Sequence, residues 1–128
     1  MNRLVMIIDD SEIIRKIVEV SLGRAGITCV SYADGIEALR ALASRPDLVP
    51  DVILLDVGMP KMDGYQVAQY IRGRRHYKDT TIVMLSGRDG VLDRLKGRLA
   101  GASSYLTKPF RTQELMAVVD EYLSPGVA

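Results

Sequence analysis

Val52-Ile53-Leu54-Leu55-Asp56 reads as a strand buried on both faces: four consecutive branched apolar residues, no polar alternation, and a carboxylate at the end. Four further runs share that character: Leu4–Ile8, Ile27–Tyr32, Thr81–Leu85 and Ser103–Leu106. Helical periodicity fills the intervals between them. Ile14, Ile17, Val18 and Leu22 fall on one face behind a candidate N-cap at Ser11, with Gly23 and Gly26 as stop signals. Ile36, Leu39 and Leu42 form a second stripe that ends before Pro46, and Val67, Tyr70 and Ile71 form a third, entered through Asp63-Gly64. Leu92, Leu95 and Leu99 form a fourth, weakened by Gly97, which costs about 1 kcal/mol relative to alanine in a helix. Leu115, Val118, Val119 and Tyr122 form the last, with Thr112 as its expected cap and an end near Ser124-Pro125.

Strands alternating with helices in the order βαβαβαβαβα predict an α/β fold: a doubly wound, five-stranded parallel sheet with right-handed crossovers. The chain of 128 residues suits one domain over 1–128, with its core at about 4–123 and no output domain. Apolar residues make up 48%, enough for a core without disulfides. A net charge of +1 argues against a polyelectrolyte binder. The lone Cys29 cannot form an internal disulfide and reads as a buried small hydrophobe. The Val5–Ile8 run is too short for a signal peptide or a membrane span, so a cytoplasmic protein without membrane insertion is expected.

In sheets of this kind, ligands bind beyond the carboxyl ends of the strands. The first run ends in Asp9-Asp10, the third in Asp56, the fourth in Ser86-Gly87, and the fifth leads into Lys108-Pro109. Taken singly, each is an ordinary turn or cap signal. Together they place three carboxylates, a hydroxyl and an ammonium at one edge. Carboxylates at such range repel unless a cation intervenes. Mg²⁺ suits oxygen ligands of this kind and tolerates a phosphate oxygen in its shell. Asp56 can then act as a carboxylate nucleophile toward phosphorus, with the metal and Lys108 neutralising the transferring group and Ser86 donating to a phosphate oxygen.

These residues resemble the receiver domains of two-component response regulators, typified by the chemotaxis switch protein. The resemblance rests on Ile7-Ile8-Asp9-Asp10-Ser11, Val52 to Asp56, Met59-Pro60-Lys61-Met62-Asp63-Gly64, Met84-Leu85-Ser86-Gly87 and Tyr105-Leu106-Thr107-Lys108-Pro109-Phe110, and runs from Leu4 to about Leu123. It implies a flavodoxin-like (βα)5 fold with strand order 2-1-3-4-5. It implies Asp56 as phosphoacceptor, Asp10 as a direct Mg²⁺ ligand, Asp9 as a direct or water-mediated one, and the Gly58 carbonyl as a further ligand. Ser86 and Tyr105 are the implied switch pair, Lys108 the cation facing Asp56 or its phosphate, and Lys108-Pro109 a cis peptide. The implied partners are a histidine kinase or phosphotransfer protein and a downstream protein on the face of the fourth helix, fifth strand and fifth helix. Such a protein is not an enzyme but a phosphoacceptor switch that assists its own phosphorylation and dephosphorylation.

Residues Ser86 to Arg98 further resemble receivers that control type IV pilus twitching motility. Gly58 and Arg88 depart from many relatives, and both positions border the phosphoryl group. Arg94, Lys96 and Arg98 can face an acidic partner, although a solvated helix face is the default reading. Arg72, Arg74, Arg75, His76 and Lys78 read as a solvated loop; with no helix-turn-helix after them, no direct nucleic-acid contact is expected. Gly58 removes the second Asp that a haloacid-dehalogenase-type phosphatase needs. Asp9-Asp10-Ser11-Glu12 lacks the glycines of a dinucleotide fold and would repel the phosphate of a flavin. The remaining alternative is a phosphorylation-independent interaction module on the same fold.

Overall fold

The computed structural model describes residues 3–87 and 90–123. Five strands, β1 (Leu4–Ile8), β2 (Thr28–Tyr32), β3 (Val52–Asp56), β4 (Thr81–Ser86) and β5 (Ser104–Thr107), alternate with five α-helices. These are α1 (Glu12–Arg24), α2 (Gly35–Ser44), α3 (Gly64–Arg72), α4 (Val91–Leu99) and α5 (Thr112–Leu123), and a short 3₁₀ turn at Arg75–Tyr77 precedes β4. All strand pairs are parallel, in the order β2-β1-β3-β4-β5. The flavodoxin-like order and the unbroken apolar runs therefore agree with the architecture.

The two-residue side-chain period of the strands splits the core into two layers. Met6, Ile8, Ile53, Leu55, Ile82 and Met84 face the side packed by Ala38, Leu42, Val67 and Ile71 of α2 and α3. Val5, Ile7, Val52, Leu54, Val83 and Leu85 face Val18 and Leu22 of α1 and Leu115 and Val119 of α5. Each central strand is thus covered on both sides, which is why its sequence shows no polar alternation.

Local signals set the helix starts. Ser11 Oγ accepts from the Ile14 amide at 3.2 Å, and the Asp34 side chain accepts from Glu37 at 2.8 Å. Asp63 and Gln66 form a reciprocal capping box at 2.9 and 3.1 Å. At α5 the expected cap moves back by one residue: Thr112 lies inside the helix, and the Glu114 carboxylate accepts from the Arg111 amide at 2.8 Å. The expected end near Ser124-Pro125 lies outside the described residues.

The helical stripes are seated less simply than the periodicity suggests. Ile17 and Ile36 are exposed, while Ala38 replaces Ile36 in the buried face of α2. The largest departure is α4, whose apolar stripe points to solvent: Leu92 is 74% and Leu99 76% exposed. Gly97 faces the sheet instead, where a Cβ would stand 3.4 Å from the Tyr105 ring and 3.5 Å from Met84. Tyr105 and Met84, paired in register, already fill the space under α4. Only a side with Gly97 and Ala100 can approach, and helical geometry turns the leucines outward.

Candidate functional site

Asp9, one residue beyond β1, is completely buried, Asp10 beside it is exposed, and Asp56 closes β3. Parallel register sets these ends level, since Ile8 pairs with Leu55 and Asp56 with Leu85. Carboxylate oxygens of Asp9, Asp10 and Asp56 all lie within 4.8 Å of one another. Lys108, just beyond β5, reaches across the edge. Its Nζ is 2.6 Å from Asp9 Oδ2 and 3.3 Å from Asp56 Oδ1. The ammonium therefore bridges two acids and sits closer to Asp9.

Backbone groups hold the acids in place. Asp9 Oδ1 accepts from the Ser11 amide at 2.8 Å, and Asp56 Oδ1 accepts from Gly58 at 3.2 Å. Ser86 ends β4 as a buried residue, and its carbonyl accepts from the Lys108 amide at 2.7 Å. The Lys108-Pro109 peptide is cis.

The electrostatics are unbalanced toward negative charge. Burial first, and then the neighbouring Asp9, push the Asp56 carboxyl above its ordinary range; Lys108 and the Gly58 amide pull it partly back. Burial works against the Lys108 ammonium, but its bond to Asp9 and the charges of Asp9 and Asp56 outweigh that and raise its pKa. Among the described residues, one ammonium stands with these three carboxylates, an excess of negative charge. Hard oxygen donors at this spacing fit a small divalent cation.

Gly58 is exposed, and a Cβ there would meet nothing within 4 Å. Arg88 lies outside the described residues. Tyr105 is half-buried on β5, with the Arg94 guanidinium 5.2 Å from its ring centre. Tyr65 of α3 stands close to it, its phenol pushed up to about 12, first by burial and then by Tyr105. Cys29 is half-buried on β2 rather than fully enclosed; burial, then Glu19, push its thiol up to about 12, so it is inert.

Three supporting residues escaped the sequence reading. Arg15 Nη1 donates to the Asp9 carbonyl at 2.7 Å, a contact six residues away that only the turn into α1 creates. Gly64 brings α3 so near β3 that a Cβ would lie 2.5 Å from the Asp56 carbonyl oxygen. Asp63-Gly64 signalled a helix start but not this approach. Tyr65, beside Tyr105, carried no signal of its own.

Comparison with known proteins supports the same assignment. Residues 5–120 match the response regulator receiver domain family. The chain is 40% identical to protein PilG of Pseudomonas aeruginosa, over 93% of this chain and 86% of that one. It is 37% identical to the sensor histidine kinase CheAY of Helicobacter pylori, over 91% of this chain but 14% of that protein. The Vibrio cholerae chemotaxis protein CheY4 superposes with a TM-score of 0.88 at 33% identity, covering 96% of this chain and all (100%) of that one. The receiver domain of a Pseudomonas aeruginosa sensor histidine kinase, solved with magnesium coordinated in its active-site cleft, gives 0.83 at 27% identity, covering 96% and 98%. With its strand order, its acidic edge and these likenesses, the chain belongs to the response regulator receiver domain family.

Proposed function

We propose that this receiver takes a phosphoryl group on Asp56 from a histidine kinase or phosphotransfer protein, with Mg²⁺ held by Asp9, Asp10, Asp56 and the Gly58 carbonyl. The observation that carries this reading is the cluster of three carboxylates within 4.8 Å, two of which, Asp9 and Asp56, are bridged by the Lys108 ammonium. An Asp56 oxygen bonds to phosphorus as the donor's P–N bond breaks, and the electron pair leaves on the donor imidazole. When bound, Mg²⁺ neutralises the acidic edge and draws charge from the transferring group. Lys108 is placed to leave Asp56 for a phosphoryl oxygen while keeping its tie to Asp9, and Ser86 supplies a hydroxyl donor.

Movement of Ser86 toward the phosphate is coupled in this proposal to Tyr105, and through it to α4. The outward leucine stripe of α4, flanked by Arg94, Lys96 and Arg98, supports the α4-β5-α5 side as the output face. A coupling of ~1–3 kcal/mol changes partner affinity by roughly 5–150-fold. The stretch 86–98 aligns this receiver with those of type IV pilus twitching motility. Among the described residues no helix is long and apolar enough to cross a membrane. Action in the cytoplasm, where the phosphodonor resides, is part of the proposal.

The test is intact mass after incubation with acetyl phosphate or phosphoramidate, with and without Mg²⁺. One phosphoryl group is gained only with Mg²⁺, and Asp56→Asn gains none. A folded protein that stays unmodified, beside a control receiver that is modified, sinks the proposal in favour of a phosphorylation-independent module. The lifetime of the adduct carries a second prediction. The open space at Gly58 admits water to the phosphoryl group, so Gly58→Leu slows hydrolysis several-fold in a mass time course. Unchanged decay would mean that water enters elsewhere.

A further inference from the structure

The basic run from Arg72 to Lys78 is not the uniform solvated loop expected of it. Arg72 turns inward, donating to the carbonyls of Lys78 at 3.4 Å and of Thr80. The 3₁₀ turn is fastened to α2 and the turn after it: Tyr77 Oη donates to the Leu42 carbonyl at 3.1 Å, and His76 Nε2 lies 2.8 Å from the Pro46 carbonyl. A carbonyl oxygen only accepts, so Nε2 carries a proton in that contact. The Arg74 guanidinium lies over the ring of Tyr70 of α3, 4.5 Å from its centre.

These ties frame a trough between α2 and α3. It consists of two cavities of about 270 Å³ and 260 Å³ that share Ala43 and Tyr70. Leu39, Ala43, Met62 and Tyr70 supply its apolar floor, and Arg40, Arg74 and His76 stand at its walls. The described residues lining it include no carboxylate. Because His76 and Tyr77 are held by hydrogen bonds and Arg74 by the Tyr70 ring, little ordering cost from these residues falls on an occupant.

We propose that this trough is a second docking surface, distinct from the Asp56 edge and from α4, and that its occupant is an acidic, amphipathic segment of a partner protein. Apolar side chains of the segment fill the floor, and its carboxylates meet Arg40 and Arg74 at the rim. The α4 stripe of a second copy does not suit it: that stripe is flanked by Arg94, Lys96 and Arg98, so cations would face cations. A nucleic acid finds cations here, but the ring on the floor, Tyr70, is already covered by Arg74, and the rest of the floor is aliphatic where bases would lie.

The probe is a synthetic helical peptide with Leu and Phe on one face and Glu on the other, titrated into the isotope-labelled protein by NMR. Its Glu→Lys counterpart and a short single-stranded DNA are run beside it. The acidic peptide is expected to give saturable shifts at Ala43, Met62, Tyr70 and Tyr77. The double variant Arg40→Glu/Arg74→Glu weakens it at least about tenfold, because like charges then meet across the rim. Ala43→Glu, on the shared floor, does the same. All three positions are exposed, so the variants fold, and acetyl phosphate still modifies Asp56 in them. Saturation by the basic peptide or the DNA to the same degree, shifts confined to α4, or indifference to both sets of substitutions overturns the proposal.

Discussion

Lys108→Met lowers the stability of the fold by about 3 kcal/mol in neutral buffer without divalent cations, the cost typical of leaving one partner of a buried ion pair unpaired. Asp9 is wholly enclosed, and Lys108 is its ionic partner at 2.6 Å. The sign of the pH dependence follows from both raised pKa values. Lys108 contributes stability that is fully present below its unfolded pKa and is lost only as pH rises through the raised folded value. Asp56, also raised, favours the fold below its unfolded pKa and becomes a liability as pH climbs through its folded value. The penalty in Lys108→Met therefore shrinks on acidification, as the Asp56 carboxyl takes up a proton. Urea unfolding with and without Mg²⁺, across that range, reads all of this. Added Mg²⁺ restores part of the loss, and Asp9→Asn in the same background restores more. A variant as stable as the parent at neutral pH would show that water, not Lys108, balances Asp9.

Gly64→Ala has a comparably large effect through contact rather than charge. The added methyl would stand 2.5 Å from the Asp56 carbonyl oxygen and 2.9 Å from the Val57 Cα, both backbone atoms that cannot swing aside. Forcing a group into such a place costs about 2–3 kcal/mol, at the upper end of overpacking in a tight core. The strain falls on Asp56, the proposed phosphoacceptor, so phosphoryl uptake from acetyl phosphate is expected to slow as well. Gly23→Ala is the control. A Cβ at Gly23 meets nothing within 4 Å, and the exchange stabilises α1 by about 0.5–1 kcal/mol. If Gly64→Ala behaves like Gly23→Ala, the close passage of α3 over β3 does not hold in solution.

Both effects depend on contacts that differ in how far they could be read along the chain. Strands such as Val52–Asp56 announce themselves because burial on two faces removes every polar residue from the run. Ser11, Asp34 and Asp63 mark helix starts because a cap bonds an amide only three residues away. Asp9, Asp10, Asp56, Ser86 and Lys108 were visible as a group because each follows or closes a strand, and parallel strands end at one edge.

What the sequence by itself determined is therefore the alternation of elements, the parallel sheet and the membership of its acidic edge, all of which follow from neighbours a few residues apart. Only the tertiary structure decided how Lys108 divides itself between Asp9, 99 positions away, and Asp56, because that depends on distances across three strands. It also decided which side of α4 meets the sheet. Leucines at helical spacing signal a buried face, yet Tyr105 and Met84 had already filled the volume beneath, and only Gly97 could close against them. Periodicity reports that a helix has an apolar side; the space left by side chains from distant strands determines whether that side is buried.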